Sequence, residues 1–524
     1  MTKYLIKRLL HGIISVIIVV GIIMILIYSL IDRSSIFSGD TTYSHTAYND
    51  KKVYMYEKLE DYGYLDYVPY ADYLSDEVAN GNLSATDKTK AAKLGKTAEK
   101  DSDLTKKWTA SFAEKYTKNG YNVVRLDAIY SELTGKLYTG GKPALFAYKD
   151  ISVFVRVWKY FTGIIVVDRV SYVDSSIDIG ERGLTFTWND PAYGGAFAPA
   201  IMGNGTRHKY LLYFDNKFPF IHQNVFNINL GVSYSISRGN ELVTTMTESQ
   251  GALAPRPVIY PTGYVDERAD DIHSATYVQN SLSEINNMYF TDDYTNVGTF
   301  KNGMSRMGYS FVMGIFATLL AYFLGVPLGI LMARKKDKLA DKLGTIYVVF
   351  ITAVPSLAYI LMFQSLGGSM GLPTTFDTKY TLNPMYYILP VVSLALPSIA
   401  GLMRWLRRYM VDQMASDYVK FARSGGLSET EIFTKHIFKN AAIPIIQGIP
   451  GSLLGALTGA IITERVYTVP GVGNTLTNAI TAHDNAVIVG ISLFYSILSI
   501  VSIILGDILM ALVDPRISFS TKGR

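Results

Sequence analysis

The stretch whose residue types and spacing could do work is Asp417–Pro444, DYVKFARSGGLSETEIFTKHIFKNAAIP. Its chemistry is that of docking a protein, not of making or breaking bonds. Tyr418, Val419, Phe421 and Ala422 give a first helix an apolar edge, with Lys420 and Arg423 facing elsewhere. Gly425 and Gly426 end it, because glycine is unfavourable inside a helix and free to take positive φ at its end. Ser428 and Glu431 then form the S-x-x-E pattern that caps a helix N-terminus. Ile432, Phe433 and Ile437 continue at helical spacing, and Lys435, His436 and Lys439 fall in the later turns, where the helix dipole favours positive charge. The spacing predicts a short helix–turn–helix at a membrane surface. A plain connection between bundle helices is usually shorter; one that is long, capped and amphipathic reads as a docking element for a soluble partner.

Catalytic patterns are missing. The chain contains no G-x-x-x-x-G-K-[ST] phosphate loop and no H-E-x-x-H. Its seven histidines lack metal-ligand spacing, and the absence of cysteine excludes disulfides and thiolate metal sites. Asp507 is an acid well inside an apolar stretch, a functional candidate by default, yet near enough to its end to pair with an arginine. Glu464 and Arg465 read as surface anchors at the end of another stretch.

These residues must be positioned by a membrane scaffold. The chain has 524 residues, 49% hydrophobic and only 18% charged. A net charge of +5, scattered along the chain, does not suggest nucleic acid. Residues 12–31 are uninterrupted apolar sequence, enough to cross a ~30 Å hydrocarbon core, and follow Lys3, Lys7, Arg8 and His11. They read as an uncleaved anchor. Further spans are expected at 307–333, 343–366, 386–403, 441–463 and 486–513. Basic residues follow the second (ARKKDKLADK), the fourth (Arg404, Arg407, Arg408) and the last (Arg516, Lys522, Arg524). By the positive-inside rule both termini and the docking stretch are cytoplasmic and residues 33–305 lie outside. Pro327, Pro355, Pro390, Pro397 and Pro450 suggest bent helices, and GSLLGALTGA (451–460) suggests close helix approach.

The polar region 33–305 holds no span. Residues 50–135 read as helices and loops, with a helix former interrupted at Asp101–Asp103. ISVFVRVWKYFTGIIVV (151–167) is rich in β-branched residues. It reads as a buried strand pair, or else as an interfacial segment, since Arg156 and Lys159 interrupt it. Residues 209–236 mix strand-like runs with turns, and 251–300 have the weakest pattern.

Taken in order, KYLIKRLL, INLGVSYS (228–235), LGVPLGILMA (324–333), LPVVSLALPSIAGLMRWLRR (389–408), ERVYTVPGVG (464–473) and LVDPRIS (512–518) resemble the B-type membrane subunit of oligopeptide/dipeptide ABC importers. The docking stretch resembles that family's cytoplasmic coupling loop at Asp417, Tyr418, Ala422, Gly426, Leu427, His436, Asn440 and Pro444. The resemblance implies a polytopic α-helical membrane protein of six spans, the type I ABC importer permease fold. It implies three parts: 1–32 with the first span, a mixed α/β extracytoplasmic insert at 33–305 as in long-insert Gram-positive variants, and a permease core at 306–524 with its coupling loop at 404–440. The partners implied are a second homologous permease, two ATPase subunits that use ATP and Mg, a lipid-anchored extracellular peptide-binding protein, and membrane lipid. This chain itself would need no cofactor and catalyse nothing. Residues Ser428–Asn440 would lie in a groove of one ATPase, with Ile432 and Phe433 as apolar anchors and Glu429, Glu431 and Lys435 on the rim. Other cargo, such as dipeptides or nickel, fits the same resemblance. A membrane sensor with an external ligand domain is the reading from a different class.

Overall fold

The computed structural model describes residues 2–167 and 304–513 except 381–382. Between these two blocks it describes only 179–189, 199–204, 210–214, 219–221, 226–234, 239–240, 242–247, 252–253, 256–259, 265–268 and 301–302. Most of 251–300, and the basic tail after Val513, lie outside the described residues.

The first helix, α1 (Thr2–Leu30), begins ten residues before the apolar run and continues through it. A compact lobe follows. Helix α2 (Tyr48–Asp61) leads into strand β1 (Leu65–Pro69), then come α3 (Tyr70–Ala79), α4 (Ala85–Ala91), α5 (Asp103–Lys118), β2 (Asn122–Leu126) and β3 (Ala144–Asp150). The strands form one antiparallel sheet in the order β1-β3-β2, with Val68 opposite Ala147 and Val124 opposite Phe146. The sequence leads one to expect helices and loops here, and the short strands β1 and β2 are not legible in it. Helix α3 buries Tyr70, Tyr73, Leu74 and Glu77, the spacing of a single helical face. That face meets Trp108 and Phe112 of α5, whose N-terminus is capped by Ser102 accepting from the Thr105 amide.

The expected interruption at Asp101–Asp103 is present, and Asp101 organises it. Its carboxylate accepts from the Gly95 amide at 2.5 Å and from both terminal nitrogens of Arg125 at 3.0 and 3.1 Å. Burial, and then the hydrogen bond it donates to Asp40, push the Tyr54 phenol up to about 12.

Residues 151–167 depart from the expected strand pair. They form helix α6 (Val153–Gly163), then a three-residue strand β4 (Ile165–Val167). Ser152 caps α6 by accepting from the Val155 amide. The alternating valines suggest a strand, but Val157, Tyr160, Phe161 and Ile164 share a helical face that packs against α1 and its neighbours. Tertiary packing overrides β-propensity here. Beyond this, β5 (Gly183–Thr187), β6 (Ala200–Asn204), β7 (Tyr210–Phe214) and β8 (Pro219–Ile221) form an antiparallel meander, and β9 (Phe226–Ile228) pairs with β4. The strand-like runs expected within 209–236 correspond to β7–β9. Helix α7 (Leu242–Thr247) is the last one described before the bundle.

The bundle comprises α8 (Arg306–Arg334), α9 (Leu339–Ala353), α10 (Ser356–Ser369), α11 (Met385–Met414), α12 (Asp417–Ser424), α13 (Glu429–Gln447), α14 (Ile449–Val466), α15 (Val472–Thr481) and α16 (Asn485–Val513). Among the described residues, α1, α8, α11 and α16 are long and apolar enough to cross a membrane. The number rises to six if the bent pairs α9–α10 and α13–α14 each count as one span. The expected third span is therefore not a straight rod: α9 and α10 meet at 111° beside Pro355. The α13–α14 bend is 44°, with Pro450 at the start of α14. The closest packing is α8 on α11. Ala317, Ala321, Gly325 and Gly329 recur every fourth residue on α8 and are all buried. A Cβ on Gly325 would sit 2.9 Å from the Leu402 Cβ, so this stripe is what lets the backbones approach.

Candidate functional site

The lobe and the docking stretch sit at opposite ends of the bundle. Asn485, at the start of α16, donates to the Tyr64 hydroxyl of the lobe at 2.7 Å, and the Tyr234 amide donates to Asp484 at 3.0 Å. At the other end of α16, Asp507 accepts from the Tyr4 hydroxyl at 3.0 Å and pairs with Arg8 at 3.2 Å. Asp507 is thus paired with an arginine, as its nearness to the end of the span allows. Helices α8 and α11 leave the lobe end and finish beside α12 and α13.

The elbow between α12 and α13 is built from backbone rules. The Leu427 amide donates to the Ala422 carbonyl and the Gly426 amide to the Arg423 carbonyl, at 3.3 and 3.1 Å. This pair of hydrogen bonds closes a helix with a left-handed residue, and Gly426 has φ +81°. Ser428 then caps α13 by accepting from the Glu431 amide at 3.3 Å. The Glu431 side chain does not reach back to complete a capping box; it accepts from Lys435 at 2.7 Å. Arg423 spans the turn to Glu429 at 2.6 and 3.1 Å, and Asp417 pairs with Lys420 at 2.9 Å. Within α13, residues Ile432–Phe438 take a π-helical turn, a wider winding often found at functional positions.

The two helices divide their side chains sharply. Val419, Ala422, Ile432, Ile437, Ala441 and Ile445 face inward onto Ala333 of α8 and Leu406 and Met410 of α11. Ile432 is 0% exposed, so its side chain holds the elbow to the bundle and presents nothing outward. Phe433, Glu431, His436 and Asn440 are half-buried. Asp417, Tyr418, Gly426, Leu427, Ser428 and Pro444 are exposed. Tyr418 donates to Gln413 at 2.6 Å and lies beside His436, ring centroids 6.5 Å apart. Phe421 is 80% exposed, and the sequence alone placed it on one apolar edge with Val419. A signal against that placement was available: residues two apart on a helix do not share a face, so Phe421 cannot accompany Val419 into the core.

Two other acids are placed by the bundle. Glu464 does not anchor to the surface. It is fully buried, accepting from the Ser310 hydroxyl at 2.6 Å and the Asn474 amide at 2.9 Å. It therefore ties α14 to α8 and to the start of α15. Arg465 alone faces out, donating to Asn478 at 2.8 Å. Asp341 of α9, also buried, is clasped by Arg407 of α11 at 2.5 and 2.7 Å. No group of three or more potential metal-ligating side chains occurs among the described residues.

Residues 325–519 match the family described as binding-protein-dependent transport system inner membrane component. Over its whole length the chain is 34% identical to the oligopeptide transport system permease protein AmiC of Streptococcus pneumoniae, with 100% of each chain covered. It is 30% identical to the dipeptide transport system permease protein DppB of Bacillus subtilis, covering 42% of this chain and 72% of that one. The similarity to DppB of Lactococcus lactis is 32%, over 43% and 73%. The AmiC match extends through the lobe; the two DppB matches span less than half of this chain.

Proposed function

Since this chain belongs to the family of binding-protein-dependent transport inner-membrane components, and is related to an oligopeptide permease from end to end, we propose that it is the membrane permease of an oligopeptide-importing ABC transporter. It is a transport component, not the ATPase, and ATP and Mg belong to its partners. A second homologous permease completes the pathway, two ATPase subunits bind at the elbow, and a lipid-anchored peptide-binding protein delivers cargo on the lobe's side. The family resemblance implies six spans of the type I importer kind, and the charge bias flanking the spans places both termini in the cytoplasm and 33–305 outside.

The observation that carries the coupling role is the two-sided elbow. Its inner face is fastened to α8 and α11, so a push on its outer face is transmitted to the helices that line the pathway. Phe421, Leu427 and Tyr418 offer the exposed apolar and aromatic contact, ringed by Lys420, Arg423 and Glu429. An apolar centre with a charged rim suits a groove on a soluble partner. Ile432 stabilises the lever from within, while Phe433, half-buried, borders both surfaces.

The test is to purify the chain with its partners, reconstitute the complex and measure ATP hydrolysis with and without peptide plus receptor. Peptide-stimulated hydrolysis is expected. A complex containing no ATPase subunit would overturn the reading in favour of a sensor. Supplying dipeptides and longer peptides in parallel decides between the two cargo classes named in the relatives.

A further inference from the structure

Helix α6 (Val153–Gly163) leaves open an apolar face that a helix in water would keep polar. Its guanidinium is inside: Arg156 is buried, stacked 3.6 Å from the ring centroids of both Tyr28 and Tyr64. Beside an inward face of Val157, Tyr160 and Phe161, a second apolar face is outside: Phe154 is 75% and Trp158 71% exposed, and Val155 is exposed beside them. Soluble proteins seldom leave a contiguous aromatic and aliphatic face open. The cation–π stack holds the arginine and so fixes which face of the helix points away.

The helix that α6 packs against is itself long and apolar enough to cross a membrane. α6 packs along the half of α1 nearer the lobe, Val157 meeting the Gly21 position at 3.9 Å and Arg156 covering Tyr28. On the same helix, Ile18, Ile22 and Leu26 are exposed, as a membrane-crossing helix requires. Exposed Lys159 lies next to Trp158. A tryptophan–lysine pair suits the bilayer boundary, where the indole sits at headgroup level and the lysine stem reaches past it to the phosphates.

We infer that α6 is an interfacial helix seated in the phospholipid bilayer at the boundary facing the lobe. Phe154, Val155 and Trp158 enter the acyl region, and Lys159 meets the headgroups. The Arg156 stack then couples this bilayer contact to both the first span and the lobe. The contact itself does not depend on which side of the membrane that boundary is; naming it the outer leaflet rests on the topology proposed above.

The chain has no cysteine, so one introduced thiol carries a unique nitroxide label. Trp158→Cys, Phe154→Cys and, as an aqueous control on the lobe, Leu133→Cys are labelled in the full transporter with cysteine-free partners. The complex is placed in phosphatidylcholine–phosphatidylglycerol vesicles, and collision with oxygen is compared with collision with a water-soluble nickel chelate. Labels at 154 and 158 should favour oxygen and the label at 133 the chelate, an inversion of the ratio. Chelate-dominated relaxation at 154 and 158 would overturn the inference. So would exclusion of both reagents that appears only when the second permease is present, since protein would then cover the face. The two bilayer positions are independent, so failure of one variant to assemble leaves the other to decide.

Discussion

At residue scale, Gly426 and the Asp341–Arg407 pair show how single side chains set the bundle's mechanics. Gly426 occupies φ +81°, and no atom lies within 4 Å of where a Cβ would stand, so its constraint is conformational, not steric crowding. A residue with a Cβ in that left-handed conformation costs roughly 1–2 kcal/mol, and a β-branched one is the worst choice. Gly426→Val is expected to lower peptide uptake several-fold while leaving membrane abundance unchanged, measured by labelled-peptide uptake against immunoblotting; full uptake would argue against a coupling turn. For the ion pair, Arg407→Ala leaves the buried Asp341 carboxylate with the Asp337 amide at 2.9 Å as a remaining donor. Stranding such a group costs about 1–3 kcal/mol. Arg407→Ala should therefore lower the thermal midpoint of the purified protein more than the double variant with Asp341→Asn does. Equal losses would mean that the charge is not what the pair contributes.

At the scale of the element, the elbow makes separable predictions for its two faces. Ile432→Ala opens a cavity among Leu406, Met410 and Val419 and should cost roughly 2–5 kcal/mol, read as a lower thermal midpoint and lower yield. Phe421→Ala removes an exposed ring and should leave the midpoint within experimental scatter. It should instead abolish most peptide stimulation of ATP hydrolysis. If Phe421→Ala destabilises and Ile432→Ala does not, the two faces have been assigned the wrong way round. The other bent elements follow from prolines, but their angles differ: the Pro355 junction turns by 111° and the one at Pro450 by 44°. Pro355 precedes a helix that starts anew, whereas Pro450 sits in a nearly continuous one, where the lost hydrogen bond kinks without ending the run.

At the scale of the whole molecule, the lobe and elbow occupy opposite ends, which gives a topological prediction. A thiol placed at Leu133, 97% exposed in the lobe, should react with a membrane-impermeant maleimide on intact cells stripped of wall. One placed at Leu427 should react only after the membrane is opened. Reaction of both from the same side would end the coupling account. Protease added to such cells should cut first at 131–139, which is exposed except at its first residue, ahead of the lysine-rich 80–105, where Asp101 and Arg125 tie the loop down.

What the amino-acid sequence determined by itself was whatever depends on neighbours along the chain or on the bilayer. Apolar runs of spanning length, basic residues at their ends, a glycine pair followed by a capping serine: each acts locally, so each was legible, and the ordered motifs carried the family. Only the tertiary structure decided which side of each amphipathic segment faces protein. It turned Ile432 inward and Phe421 outward, drew Glu464 from the surface into a socket made by Ser310 and Asn474, and wound 153–163 into a helix around an arginine held by Tyr28 and Tyr64. Those outcomes depend on partners more than a hundred residues away, or on a choice between two apolar faces that local periodicity leaves equal, and burial settles them only when the distant partner arrives.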